Sequence, residues 1–249
     1  MGFKTLATFV ESAVDLLCPD RCTACGDLIE RPPGLPLDEP SGWCTTCAAG
    51  VVPLGRPFCL DCRPGETRWR CSRPQHLTLL AGVQYGVAVR ELVHATKYQR
   101  LPGLVSVWLR AWVSLLAEPR SGHDSLLTQK PDLLVPIPLH PSRVRERGAD
   151  VVQLWCNALS RFHAIPTARV LRRRRATPPQ VGLGREQRRK NLADAFATGP
   201  DSALAQGKSV AIVDDVVTTG ATGREAAAVL FSTGAQQVSL WSFAYEPLE

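Results

Sequence analysis

The 249-residue chain is 45% hydrophobic, enough apolar material for a sizeable core and one or two domains. Twenty prolines and nineteen glycines are too few for a collagenous or low-complexity chain, and no run of about 18 uncharged apolar residues is present to span a membrane. The net charge is +6, yet residues 140–190 alone hold thirteen basic and three acidic residues. That concentration points to an anionic partner such as phosphate or nucleic acid; a solvated basic surface is the plainer alternative.

The opening segment, MGFKTLATFVESAVDLLC, carries Glu11 and Asp15 and has no small-residue cleavage site. It predicts an amphipathic helix rather than an export signal, and with it a cytoplasmic protein. Eight of the nine cysteines then fall between Cys18 and Cys71. Without export, such density argues against a disulfide framework. Cys22/Cys25 and Cys44/Cys47 form two CxxC pairs eighteen residues apart. Each pair sets two thiolates on one tight turn, and two turns complete a tetrahedron around Zn²⁺, so the spacing predicts a structural zinc ribbon. A second site drawn from Cys59, Cys62 and Cys71, with His76 or Cys18 as fourth ligand, competes with a metal-free remnant of one. Cys156, in VVQLWCNAL, reads as a core thiol.

Residues 18–75 are rich in Cys, Pro, Gly and Arg and poor in periodic apolar pattern, which predicts an N-terminal part over 1–75 held by metal and a second domain over 76–249. In that second part, LTLLAGVQY (77–85) reads as a strand, followed by helices in VRELVHATKYQ (89–99) and GLVSVWLRAWVSLLA (103–117). DLLVPIP (132–138) is a buried strand, ADVVQLWCNALSRF (149–162) an amphipathic helix and KSVAIVDDVV (208–217) a buried strand running into acids. TGREAAAVLFSTG (222–234) is a helix closed by Gly234, and QVSLWSFAY (237–245) a last strand. Strands alternating with helices predict an α/β fold with a mainly parallel sheet flanked by helices.

The chemistry concentrates in VAIVDDVVTTGAT, residues 210–222. A near-continuous apolar strand ends in Asp214 and Asp215, followed by Thr218, Thr219, Gly220, Ala221 and Thr222 and then a helix. Loops at the carboxyl ends of parallel strands are where α/β sheets bind ligands. Small hydroxyl residues and Gly let backbone N–H groups approach a phosphate, helped by the helix N-terminus. Two carboxylates beside that cradle can accept hydrogen bonds from a vicinal diol, so the string describes a sugar phosphate site. Neither a P-loop nor a dinucleotide fingerprint occurs.

This string closely resembles the binding motif for phosphoribosyl diphosphate (PRPP) in type I phosphoribosyltransferases. VPIPLHPSRVRERG (135–148), RRATPPQVGLGREQRRKN (174–191), HATKYQR (94–100) and the CxxC region resemble the ComF family, bacterial proteins linked to competence and DNA uptake. The resemblance implies a type I phosphoribosyltransferase-like α/β domain behind a zinc ribbon. It implies that Val213, Asp214 and Asp215 meet the ribose, the acids in a catalytic role, and that Thr218–Thr222 bind the 5′-phosphate. Pro136, Ile137, Pro138 and Leu139 would form a diphosphate loop, which in such folds can hold an unusual backbone conformation. Arg185, Arg188 and Arg189 would close over the diphosphate, and Mg²⁺ would arrive with PRPP. Where the family commonly has Arg-Gly-Phe-Asn-Gln, this chain has Arg147, Gly148, Ala149, Asp150 and Val151.

His94 and His140 lie beside these segments, and a lone histidine there is more often structural than catalytic. Arg172, Arg173, Arg174 and Arg175 form a basic run able to track the phosphates of single-stranded DNA. Trp108, Trp112 and Trp155 lie on apolar helical faces and belong to the core, which leaves Trp43 and Trp69 as candidates to stack on bases. The functional expectation is a PRPP-binding, phosphoribosyltransferase-like protein linked to DNA uptake. The alternative is a non-catalytic PRPP sensor or a single-stranded-DNA-handling adaptor for the uptake or recombination machinery.

Overall fold

A computed structural model of the chain describes residues 20–29, 42–54, 57–60, 76–99, 101–117, 130–174 and 194–247. Seven strands are present among them: β1 (Phe58–Cys59), β2 (Thr78–Gln84), β3 (Leu133–Pro136), β4 (Leu171–Arg173), β5 (Phe196–Thr198), β6 (Ser209–Val217) and β7 (Gln237–Tyr245). The α-helices are α1 (Thr45–Ala49), α2 (Val87–Tyr98), α3 (Val105–Ala117), α4 (Pro141–Arg147), α5 (Val151–His163) and α6 (Ala221–Ser232). The helix expected over the first eighteen residues lies outside the described residues, as does most of 174–191.

The main sheet runs β1-β2-β7-β6-β3. Its β2–β7, β7–β6 and β6–β3 pairs are parallel, and β1 adds an antiparallel edge. The mainly parallel sheet flanked by helices is thus the observed architecture. Strand β6 is central for a chemical reason. Val210, Ala211, Ile212 and Val213 are all buried, the continuous apolar and mostly β-branched run that suits a strand covered on both faces. Its side chains alternate between two cores. Val210 and Ile212 face a layer made by α6 and the β4–β5 pair, with Leu230 and Phe196. Ala211 and Val213 face α2, α3 and α5.

That second layer is built on aromatics. Trp108, Trp112 and Trp155 are buried as expected, with Trp108 stacked on Phe243 at 4.7 Å between centroids. Cys156 is fully buried, and burial pushes its thiol up to about 12, in keeping with a core role. Helix α5 turns Val151, Val152, Trp155, Ala158 and Leu159 inward at helical spacing. Asp150 caps it, its Oδ1 accepting the Gln153 N–H at 3.0 Å. The sequence reading did not anticipate α1, α4 or the β4–β5 pair. Helix α4 rests on end signals rather than on an apolar stripe. His140 caps it, Pro141 opens it, and Gly148 closes it at φ +79°. Among the described residues, no helix is long and apolar enough to cross a membrane.

Candidate functional site

The carboxyl ends of β3 and β6 meet at the site. Strand β3 pairs with β6 only as far as Pro136 opposite Val213, and the Ile137 N–H to Val213 carbonyl bond (2.9 Å) is the last link. One residue further, β6 presents Asp214 and Asp215. Each carboxylate uses one oxygen on the next backbone N–H. Asp214 Oδ1 accepts from Asp215 at 2.9 Å, and Asp215 Oδ1 from Val216 at 2.7 Å. The second oxygen of Asp215 forms an ion pair with Lys97 Nζ at 2.9 Å. Burial first, and the charge of Asp215 second, push the Asp214 carboxyl up to about 7.

The loop that follows is shaped by Gly220, which sits at φ +72° directly before α6. A side chain there would be strained, and its Cβ would stand 2.8 Å from Leu60. Thr219 Oγ1 accepts the Ala221 N–H at 3.2 Å, while no side chain caps α6 from Gly220. Arg224, in the first turn of α6, donates to the Thr219 carbonyl at 2.6 Å and to the Leu60 carbonyl at 2.9 Å. It therefore braces the loop from behind. Thr218 and Thr222 are half-buried in the same bend.

Pro136 and Ile137 are buried, and Pro138 and Leu139 are half-buried as the chain leaves β3. Their backbone has no cis peptide and no positive φ, so the unusual conformation that the resemblance allowed does not occur in this segment. His140 is structural, its Nδ1 sharing a 2.7 Å contact with Ser142 Oγ at the start of α4. His94 packs against Tyr98 at 4.9 Å. Arg173 reaches the segment from β4, donating to the Pro138 carbonyl at 3.5 Å and lying 5.4 Å over the Phe196 ring. The basic run is thereby divided. Arg172 and Arg174 are exposed, Arg173 turns the other way, and Arg175 lies outside the described residues.

The second constellation is cysteine. The sulfurs of Cys22, Cys25, Cys44 and Cys47 all lie within 4.8 Å of one another, and together they can hold a metal ion. Cys25 and Cys44 are 3.8 Å apart, close to the edge of a tetrahedron with metal–sulfur bonds of about 2.3 Å. Gly26, at φ +80°, closes the first turn through its N–H to the Cys22 carbonyl. Cys44 caps α1 by accepting the Cys47 N–H. Burial would raise the Cys22 thiol, but backbone N–H groups of Cys44, Cys25 and Ala24 bring it down to about 6. Contact with Cys44 first, and burial second, push Cys47 up to about 11. Without a cation the four thiols cannot all ionise together. Cys59 is buried in β1, away from this cluster, while Cys62 and Cys71 lie outside the described residues.

A DNA utilization protein (YhgH) of Escherichia coli K12 is 31% identical over 208 residues, which are 80% of this chain and 88% of that protein. The corresponding protein of Salmonella typhimurium is 32% identical over the same shares. Competence protein F of Haemophilus influenzae is 34% identical over 115 residues, 46% of this chain and 50% of its own. The chain belongs to the ComF family. No protein-family profile matches it. Among solved structures, a glutamine PRPP amidotransferase of B. subtilis with ADP and GMP aligns over 69% of this chain and 29% of its own, at 16% identity and a TM-score of 0.34. A regulatory enzyme of purine biosynthesis gives 14% identity and a TM-score of 0.33 over 28% of its length. This chain thus spans under a third of either.

In this ComF-family chain the structure brings Val213, Asp214, Asp215, the 218–222 loop and the 136–139 segment to one edge of the sheet. Arg185 and Arg188 lie outside the described residues. Trp43 corrects the sequence reading. It is half-buried, and its indole N–H donates to the Ala88 carbonyl at 3.1 Å, so it docks the cysteine segment onto α2 rather than standing free for a base. Trp69 lies outside the described residues. Lys97, Arg173 as a neighbour of the 136–139 segment, and Arg224 were not predicted as site residues; HATKYQR alone pointed toward the first.

Two measurements test this geometry. Protein purified without chelators should carry at least one metal ion per chain by elemental analysis. Cys44→Ser with Cys47→Ser should lose it, and retention there would remove the cluster as a metal site. The raised Asp214 makes the folded state hold a proton that the unfolded chain releases near pH 4, so its cost to stability is absent below that value, grows through neutrality and is complete above about pH 7. Asp214→Asn should therefore raise the melting temperature strongly at pH 8 and clearly less at pH 5, where only part of that cost is present. Equal effects at both would refute the assignment.

Proposed function

We propose that this ComF-family chain binds PRPP as its magnesium complex and serves DNA utilization, as the names of its relatives describe for those proteins. The observation that supports this most is the run of two adjacent carboxylates at the end of β6 into a glycine-bent, hydroxyl-bearing loop that opens an uncapped helix. In this reading Asp214 and Asp215 hold the ribose hydroxyls. Backbone N–H groups and hydroxyls of Thr218–Thr222 take the 5′-phosphate, aided by the positive end of α6. The 136–139 segment lies alongside to receive the diphosphate. Magnesium, bound with the ligand, neutralises diphosphate charge as it develops. The cations assigned to the diphosphate in this reading are Arg185 and Arg188.

The four-thiolate set offers no open coordination position, so the metal we propose there is a structural zinc. It stabilises an N-terminal part, residues 1–75, whose β1 completes the edge of the sheet of the 76–249 part. Arg172, exposed on β4, and Arg174, exposed directly after it, are the described members of the surface proposed to meet single-stranded DNA.

Isothermal titration with PRPP and Mg²⁺ should show saturable binding, lost in Asp214→Ala with Asp215→Ala. Unchanged affinity in that double variant would remove the ribose assignment. Affinity for a single-stranded oligonucleotide should fall steeply with salt, with a shallower slope in Arg172→Glu with Arg174→Glu. A salt-independent interaction would leave those arginines as ordinary surface.

A further inference from the structure

The ion pair between Lys97 and Asp215 joins the last turn of α2 to the end of β6 across 118 residues of sequence. We infer that Lys97 is a positioning residue that divides the labour of the two acids, fixing Asp215 as the charged acceptor for one hydroxyl and leaving Asp214 as the member that takes up and releases a proton. The functional part of this inference rests on the phosphoribosyl reading above.

The geometry carries it. Only 15% of the Lys97 side chain and 10% of the Asp215 side chain is exposed, so water screens the pair far less than a surface pair. Helix α2 cannot slide to relax the contact. Val89, Leu92, Val93 and Ala95 are buried in the core, which holds the helix against the sheet. Both Asp215 oxygens thus have fixed partners, Lys97 Nζ on one and the Val216 N–H on the other. Asp214 instead accepts, through Oδ1, the backbone N–H of Asp215.

Every element around the pair contributes to this balance. Arg173 from β4 acts on Asp214 in the same sense as Lys97, more weakly. The charge of Asp215 reaches Asp150 at the start of α5 and Tyr85 after β2. Burial first, with that charge adding, holds both above their ordinary values. Arg147 lies beside Asp150 and is stacked over Tyr98 at 5.1 Å. Lys97 is the cation of this group in direct contact with a carboxylate of the pair.

Two neighbouring carboxylates titrate as one coupled system. With Lys97 present, the first proton goes to Asp214. At neutral pH the pair then offers one fixed acceptor and one group able to donate, which complements a vicinal diol whose hydroxyls both donate and accept. Without Lys97, Asp215 loses its fixed cationic partner and the proton on Asp214 is held more tightly.

The test is a ¹³C NMR titration of the full chain, without ligand, for wild type, Asp214→Asn, Lys97→Met and Lys97→Arg. Wild type should show a carboxyl carbon titrating near neutral pH that disappears in Asp214→Asn. Lys97→Met should move that transition up by about 1–3 pH units, and Lys97→Arg should restore it. The pH profile of PRPP–Mg²⁺ affinity should move with it. A transition at the same pH in Lys97→Met and wild type would overturn the inference. So would the absence of any near-neutral carboxyl in wild type, a result that stands even if Lys97→Met fails to fold. If wild type binds no PRPP while the titrations behave as expected, the phosphoribosyl reading fails and the role of Lys97 in ordering the pair survives.

Discussion

Everything at the site follows from how β6 is gripped. It is paired in parallel on both sides through Val213, and on one side only after that. Strand β3 stops at Pro136, which has no N–H to continue a ladder, and the chain peels away after Ile137. Strand β6 runs on beside β7, pairing Asp214 with Ser242 and Val216 with Ala244. The acids therefore stand where the sheet loses a strand and polar groups can reach solvent. The helices after the two strands also go to opposite sides. Helix α5, downstream of β3, packs with the tryptophan layer, and α6, after β6, packs on the other face. This is a topological switch point, the place where α/β sheets open a crevice for ligands.

The cysteine segment is tied to that frame at several points. Trp43 bonds to the first turn of α2, and Gly42, at φ +93°, lets the chain pass so close to Val107 on α3 that a Cβ would stand 2.5 Å from it. Residues 52–54 then run beside β2, through Leu54 to Gly82 and Gln84 to Val52. The described part of this segment has few buried apolar side chains of its own, Cys22 and Cys59 among them. A segment of that kind is held by its ligand set and by the surface it lies on. Its last described residue, Leu60, covers Gly220 and supplies a carbonyl to Arg224. The N-terminal part thus forms a wall of the loop opposite the acids.

Strand β6, its acids and the following loop were legible because a continuous apolar run that ends abruptly in two aspartates and a Thr/Gly bend marks where a buried strand leaves the sheet. The CxxC spacing was legible too, since two turns of paired thiols have one common purpose. Lys97 was not. A lysine in the last turn of a helix is ordinary in sequence, and only the fold brings it to an aspartate 118 positions away. The basic run at 172–175 misled in a different way. Four arginines read as one patch, but a strand sends alternate side chains to opposite sides, so Arg173 meets Pro138 and Phe196 while its neighbours face out. Helix α4 escaped because it is short, basic and without buried residues, and its caps alone define it. Trp43 was misjudged because exposure of an aromatic in a cysteine-rich segment depends on what the segment lies against.

The placement of cations decides how an anion would be held. Arg224 spends its guanidinium on the Thr219 and Leu60 carbonyls, and Lys97 spends its ammonium on Asp215. Neither is arranged as a direct phosphate ligand; each instead fixes the shape of a neighbouring group. A phosphate entering the 218–222 bend would meet backbone N–H groups first, with Arg224 adding positive potential from behind the loop. Such a site recognises shape more than charge, because N–H groups on a rigid bend accept an anion only in one place. Gly220, at positive φ, suits the bend, and Leu60 lies against it. If the proposed sugar phosphate binds here, discrimination would reside in the fit between its phosphate and a bend held from outside, and between its diol and a carboxylate pair paired with a lysine from another element.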